Sequence, residues 1–324
     1  METSAGRRQV AILGAHSALA KALFESAGER ELDADLRRYT SMEQIGEDLD
    51  PYSPAAIAEA DLVILAFRGP LARELAEAAR ARNKPVVDAA GELASHPDAR
   101  LIWPILDPGA GKRLVDGGYH VLSVGLASPI ASLLRAMAGA EIRVRQATIA
   151  TYECAASADQ AGMDELSDQV RAVYTMKDVE PSIFPGRLAF SALPSLSPPG
   201  GGPGFDADDT LAREIASGAG PGATPELRVA RVLIPAFSAD AAVVELEVGG
   251  LPDRARVVAA LKAARGLHFV EGAPPASADA VGRDDALVGR LRIGEGRIGL
   301  WVASDRLRHG SATAVSVLLE QWLT

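Results

Sequence analysis

From Gln9 to Trp103 the chain repeats one pattern: an apolar run too short for a helix, a turn residue, then apolar positions at helical spacing. Gln9–Leu13 (QVAIL) ends at Gly14, and Ala15–Ser26 then carries Leu19, Ala22 and Leu23 on one helical face. The alternation continues with a strand over Ala60–Phe67 (ADLVILAF), a helix over Pro70–Arg82, a strand over Lys84–Asp88 (KPVVD) and a further apolar run at Leu101–Trp103. Strands that are apolar on both faces and alternate with helices predict a parallel sheet covered on both sides. That constraint excludes a helical bundle and an all-β sandwich for the first third of the chain.

After about Ile130 the grammar changes. The runs Glu141–Glu153, Val229–Ile234 and Ala242–Val248 are longer and partly alternating, which predicts an antiparallel or mixed sheet. Arg254–Arg265 reads as an amphipathic helix and Ser311–Leu323 as a terminal one able to pack back on the first domain. The Gly/Pro-rich stretches Ser195–Phe205 and Ser217–Pro225 read as surface loops. At 324 residues the chain exceeds what one core usually holds, so two domains are expected.

Charge and cysteine usage then remove several functions. A formal net charge of −10 argues against a nucleic-acid partner, which needs a concentrated basic surface. Arg7-Arg8 and Arg37-Arg38 read as solvated pairs, the second open to a role near a ligand phosphate. The single cysteine, Cys154, forbids an internal disulfide and fits a reducing compartment. No run is apolar enough to span a bilayer, and Met1–Gln9 has no apolar signal core, so the cytoplasm is the expected location with no membrane partner. No metal-ligand spacing stands out.

The order of segments resembles aspartate-semialdehyde dehydrogenase over nearly the whole chain. Ala11-Ile12-Leu13-Gly14-Ala15 stands at the family's strand and GATG-type phosphate loop, and Ala66–Leu75 (AFRGPLAREL) resembles ALPGxxSxEL. Val86–Pro97 resembles VIDxSSAFRxxP, Thr151–Leu166 (TYECAASADQAGMDEL) resembles TYQAVSGAGxAGMxEL, and Phe184–Pro194 resembles FPxxIAFNxIP. Val288–Arg292 followed by Gly299–Ala312 (GLWVASDRLRHGSA) resembles VGRIR and GLxLWVVSDNLRKGAA. The resemblance implies a Rossmann-type, parallel-sheet NAD(P)-binding domain over 1–128, completed by about 305–324. An α/β domain with a mixed sheet, used for dimerisation, then spans 129–304.

Active members reduce an acyl phosphate through a cysteine thioester, with hydride from NADPH and a histidine moving protons. The stretch matching NPNCST is Ser123–Pro129, which puts Ala127 at the nucleophile position, and a one-residue slip puts Leu126 there. Neither is a nucleophile. Ser128 reads as a helix N-cap before Pro129, the alternative being a serine nucleophile that would need an adjacent base. Cys154 reads as a small buried hydrophobe. Ser238 stands at the histidine position, so the proton relay is missing unless Asp240 or Glu153 has been recruited. His268 and His309 read as surface or structural.

Substrate and cofactor positions depart as well. Ala94 replaces a phosphoryl-binding arginine, Glu153 a glutamine, and Ala156–Asp159 the SGAG loop, while Arg231 keeps its place or serves as an ordinary ion-pair partner. Gly14, Ala15, Ser17, Ala18, Thr40, Ser41 and Gly69 fall at cofactor positions, with Ser17 expected to crowd the pyrophosphate. Arg306 replaces the asparagine that holds the nicotinamide carboxamide. The expectation is a member without intact catalytic residues, similar to the USG-1 proteins, acting as a homodimer or as a heterodimer with an active paralogue. The alternative is an NADP-dependent oxidoreductase of altered chemistry on an aldehyde, drawing on Glu153, Asp240 and Ser128.

Overall fold

The computed structural model describes residues 7–41, 49–194 and 205–324 in two compact units, 1–124 with 311–324, and 125–310. The expected loop Ser195–Phe205 therefore lies almost wholly outside the described residues. None of the described helices is long and apolar enough to cross a membrane.

The first unit is built on β1 (Arg8–Leu13), α1 (Ala18–Glu29), β2 (Ala34–Thr40), β3 (Asp50–Pro51), α2 (Pro54–Glu59), β4 (Leu62–Leu65), α3 (Pro70–Arg80), β5 (Val86–Asp88), β6 (Ala99–Ile102) and β7 (Tyr119–Leu122). Its seven strands lie in the order β3-β2-β1-β4-β5-β7-β6, and every pairing is parallel. β1 and β4 are central and buried on both faces, as their apolar runs require. Each of Ile12, Leu13, Ile64 and Leu65 contributes about 1.5–3 kcal/mol by burial. The chain reverses its direction of travel across the sheet between β1 and β4, which places the ligand crevice of such folds above their carboxyl ends.

The C-terminal helix, Ala314–Leu323, belongs to this unit because its surface is matched locally. A Cβ on Gly111 would lie 2.6 Å from the Leu318 carbonyl oxygen and the Trp322 nitrogen, so only glycine allows that approach. Gln321 accepts from Gly111 N–H and donates to the Pro104 carbonyl, and the Arg8 guanidinium stacks on the Trp322 ring.

The second unit contains α4 (Ala127–Gly139), β8 (Val144–Glu153), α5 (Asp159–Tyr174), α6 (Phe205–Ala219), β9 (Glu226–Leu233), β10 (Ala239–Val248), α7 (Arg254–Ala263), β11 (Leu267–Phe269), β12 (Ala286–Gly294) and β13 (Arg297–Asp305). The strand order is β11-β12-β13-β10-β8-β9, with β8–β9 and β11–β12 parallel and the rest antiparallel, so the sheet is mixed. Ser217–Ala219 is the end of α6 rather than loop, and the turn begins only at Gly220. Alternation is clean on β8, where Ala147, Ile149, Thr151 and Glu153 are buried and the residues between them are not. α4 packs between α6 and α7 and also touches β8 and β13.

The best-kept motifs have scaffold roles. Gly162 of the AGMDEL run sits where a Cβ would come within 2.2 Å of the Ala155 carbonyl oxygen. Three residues on, the Glu165 carboxylate accepts from the Ser182, Ile183 and Phe184 amides and from the Ser182 hydroxyl. Gln169 accepts from the amides of Leu188 and Ala189. One face of α5 thus satisfies the backbone of the irregular segment carrying FPGRLAFSALP, which would otherwise bury unpaired donors.

Candidate functional site

Register builds the site. Thr151 pairs with Arg231, Asp240 pairs with Ser304, and Ala241 pairs with Tyr152, so Glu153 and Asp240 are neighbours at one end of three adjacent strands. Because side chains alternate, Glu153, Arg231 and Asp240 all point to the buried face. Arg306, two residues beyond Ser304, turns back over the same end.

Charges converge there as one connected group. Arg231 grips Glu153 bidentately, Nε to Oε1 at 2.6 Å and Nη2 to Oε2 at 2.7 Å. Arg306 Nη1 donates to Glu153 Oε2 at 3.1 Å and to Asp240 Oδ2 at 2.7 Å. Asp240 Oδ1 accepts from the Cys154 amide at 2.9 Å, Thr151 Oγ1 donates to Glu153 Oε1 at 3.2 Å, and the Arg306 amide donates to the Ser238 carbonyl at 2.9 Å. Two guanidinium groups and two carboxylates cancel. The side chains of Glu153, Asp240 and Arg306 are 3%, 0% and 7% exposed, which excludes competition from water.

Burial alone would raise Glu153, but Arg231 and Arg306 hold it below the usual carboxylate range, so it is a poor general base. Burial pushes the Asp240 carboxyl up, against the pull of Arg306. The two carboxylates keep Arg306 charged despite burial. Burial, reinforced by Asp240, pushes the Cys154 thiol well up, so it is the inert hydrophobe expected and not a thiolate.

The segment carrying the nucleophile position packs directly on this group. Gly125 has φ +85°, and a Cβ there would stand 2.9 Å from Arg306 Nη1 and 3.3 Å from Asp240 Oδ2. Ala127 is wholly buried in the first turn of α4. The helix starts earlier than the sequence suggests: Leu126 is at the N-cap, so Ser128 lies within the first turn, buried, and does not cap it. Ser238 is half-buried in the turn before β10. His268 is exposed. His309 is buried, its Nδ1 donates to the Asp284 carbonyl at 2.8 Å, and its Nε2 has no hydrogen-bond partner among the described residues. Burial keeps its pKa below the ordinary value, which makes it a structural neutral imidazole.

In the first unit, Gly14 turns with φ +89° under the Phe67 side chain, and its amide and that of Ala15 donate to the Tyr39 carbonyl. Phe67 stacks on Tyr52, whose hydroxyl is pushed up to about 12 by burial. Ser17 does not crowd the crevice as expected, because its hydroxyl turns inward and caps α1 by accepting from the Ala20 amide. Ala15 and Ala18 are buried beside it, Ser41 is half-buried, and Thr40 Oγ1 is 2.8 Å from His16 Nδ1.

The positive charges expected near a 2′-phosphate are engaged. Arg37 pairs with Asp35 and Glu59, and Arg38 lies over the Phe24 ring. At the start of α3 the Gly69 amide donates at 3.0 Å to Glu92, which also pairs with Arg73. A carboxylate of the chain therefore accepts from the amide at the N-terminus of α3. Arg306, placed by the sequence at the carboxamide, is instead tied into the buried charge group. Among the described residues no cluster of three or more His, Cys, Asp or Glu could hold a metal ion.

What the sequence reading missed was pairing. Glu153 and Arg306 were weighed as separate losses, although they meet across 153 positions of chain. Where the resembling motifs have two neutral amides this chain has one acid and one base, and only the strand register shows that the two meet.

Comparison with known proteins places these features. The family model of the semialdehyde dehydrogenase dimerisation domain matches residues 134–309. The chain is 26% identical over 331 aligned residues to a USG-1 protein homologue of Pseudomonas aeruginosa, covering 96% of each. It is 25% identical to an aspartate-semialdehyde dehydrogenase of Synechocystis, covering 94% of each. The structure of aspartate semialdehyde dehydrogenase II from Vibrio cholerae has the same fold, with a TM-score of 0.85 at 22% identity over 98% of each chain.

Proposed function

This chain belongs to the semialdehyde dehydrogenase family through its dimerisation domain, and from that premise we propose that it is a dimeric, non-catalytic member serving as a binding or regulatory protein. The observation that carries the reading is the neutral charge group packed on Gly125, two residues before the wholly buried Ala127. Arg231 grips Glu153 and Arg306 bridges Glu153 to Asp240, so both guanidinium groups already hold carboxylates of the chain rather than an anionic acyl phosphate. Ser128 is buried in the first turn of α4, and the buried His309 is turned to the Asp284 backbone carbonyl, so neither supports a replacement for the missing thiol and histidine.

A homodimer is favoured by the sheet of the second unit. One face is covered by helices, while the other presents half-buried Tyr152, Val243 and Trp301 in adjacent rows, with Tyr152 and Trp301 rings 6.0 Å apart. This aromatic patch, bordered by Thr148 and Glu245 on the same face, is suited to a partner.

The test is a calorimetric titration with NADPH and NADP up to about 1 mM, the upper end of ordinary substrate affinities, together with turnover of aspartate semialdehyde in phosphate. Sedimentation then gives the oligomeric state. The expected result is a dimer without saturable cofactor binding, and with turnover lower by about a millionfold, the loss on removing a nucleophile–base pair. Saturable NADPH binding with measurable turnover would overturn the reading in favour of an oxidoreductase of altered chemistry.

A further inference from the structure

His120 is a titratable side chain set inside a sheet and used there as a hydrogen-bond acceptor. It is 2% exposed on β7, and its Nε2 accepts from the Val115 amide at 3.0 Å. A ring nitrogen that accepts an N–H carries no proton, so the contact exists only for the neutral imidazole with its proton on Nδ1. The turn is shaped around it. The Gly118 amide donates to the Val115 carbonyl at 2.9 Å, Gly117 takes φ +65°, and a Cβ on Gly118 would stand 3.0 Å from the imidazole Nε2. Protonated, Nε2 would oppose the Val115 N–H with an N–H of its own. The Val115 carbonyl lies 3.5 Å away, beyond a normal hydrogen bond, so the imidazolium gains that acceptor only if the turn moves.

The same stretch of chain seats the C-terminal helix. Between β6 and β7, the Pro104 carbonyl and the Gly111 amide are both hydrogen-bonded to Gln321, and the Leu114 amide donates to the Gly111 carbonyl at 3.4 Å. Gln321 thus holds one end of this connection and His120 the other. We infer that His120 is an acid-released latch: the neutral ring keeps the Val115–Gly118 turn closed, and protonation frees the turn and loosens the seat of the helix Ala314–Leu323. The latch lies outside the site above and does not depend on its reading.

Neighbouring charges set the direction in which the latch works. Arg100 on β6 is the register partner of His120, and paired residues of adjacent strands share a face, so a fixed cation stands beside the ring and opposes a second one. A recess of about 380 Å³ at the ring is also lined by Arg80 and Asp98, which pair with each other, and by Asp116. Lys112 and Asp116 on the connection are exposed, where water screens them, Arg113 pairs with Asp107, and Glu320 of the helix pairs with Arg30. Burial, with Arg100, holds the ring's pKa below its ordinary value. The latch is therefore fully closed above about pH 6.5, and below the folded pKa the ratio of open to closed turn rises about tenfold per pH unit.

The experiment uses the full chain. Histidine ¹⁵N NMR reads the tautomer and pKa of His120, and hydrogen exchange corrected for intrinsic rates reads residues 110–118 and 314–324 at pH 7.5 and pH 5. The expected result is an Nδ1–H tautomer at pH 7.5, and a loss of protection of about tenfold or more in both segments at pH 5. His120→Gln, whose amide oxygen accepts from Val115 at either pH, should keep its protection, and Arg100→Gln should raise both the ring's pKa and the pH at which protection is lost. A ring still neutral at pH 5, an equal loss in wild type and His120→Gln, or a loss in 110–118 with none in 314–324 would overturn the latch. Should His120→Gln not fold, Arg100→Gln decides: a midpoint of protection that moves with the ring's pKa supports the latch, and one that stays in place refutes it.

Discussion

Replacing Arg306 by methionine keeps the length of the side chain and removes its charge from between two buried carboxylates. Glu153 would retain the bidentate grip of Arg231, whereas Asp240 would keep the amide and thiol of Cys154 but no cation. Leaving one buried charge without its partner costs about 3–5 kcal/mol. For a unit of the size of 125–310, with about 2–4 °C of Tm per kcal/mol, Tm should fall by roughly 6–20 °C. The pH dependence carries the sharper test. Burial already pushes Asp240 up in the presence of Arg306, and without that cation the push is unopposed. A carboxyl whose folded pKa lies above its unfolded value of about 3.9 folds best protonated, so the deficit should grow as pH rises through the folded pKa and shrink on acidification. Differential scanning calorimetry of wild type and Arg306→Met at pH 5 and pH 8 measures this. A deficit below about 1 kcal/mol, as for exposed ion pairs, or one equal at both pH values, would refute a buried, mutually neutralising group.

Three further perturbations address other parts of the structure. Gly125→Ala introduces a Cβ 2.9 Å from Arg306 Nη1 at a backbone φ of +85°, and should cost about 2 kcal/mol or more in urea melts. Glu165→Ala strips three amides and a hydroxyl of their acceptor and should cost about 3 kcal/mol or more; hydrogen exchange should show Ser182, Ile183 and Phe184 losing protection first. His309 and His120 are both held neutral by burial, so stability is fully present above about pH 6.5 and declines as pH falls toward their folded values. His309→Gln should lower that slope by up to about 1.4 kcal/mol per pH unit, and an unchanged slope in chemical denaturation would rule out the buried neutral imidazole.

The two kinds of sheet were legible because each leaves its own period in the sequence. Leu62–Leu65 is apolar at every position and is buried on both faces, while Ala147, Ile149 and Thr151 alternate with less buried neighbours on a sheet covered on one side. Harder to see were elements whose apolar pattern is broken by charge. β2 carries Asp35, Arg37 and Arg38 and lies near the sheet edge, where ion pairs and a ring stack replace burial. The start of α4 was misplaced because Ser-Pro imitates a helix entry, whereas Leu126 takes the cap position without any side-chain hydrogen bond. Ser17 stands at a phosphate-loop position, and local hydrogen bonding, which residue type alone does not show, turns its hydroxyl inward.

At the candidate site, identity was readable and interaction was not. That Ala127 and Ser238 lack reactive groups follows from the residue types alone. That Glu153 and Arg306 compensate one another follows only from register, which brings β8, β10 and the end of β13 to one corner. Considered singly, an acid in place of the glutamine adds a buried negative charge, and an arginine in place of the asparagine adds a buried positive one; each alone would cost several kcal/mol. Together they leave the corner neutral. The two replacements therefore function as a unit, and a variant restoring either amide alone should be less stable than this chain even though it moves one residue toward the resembling motif.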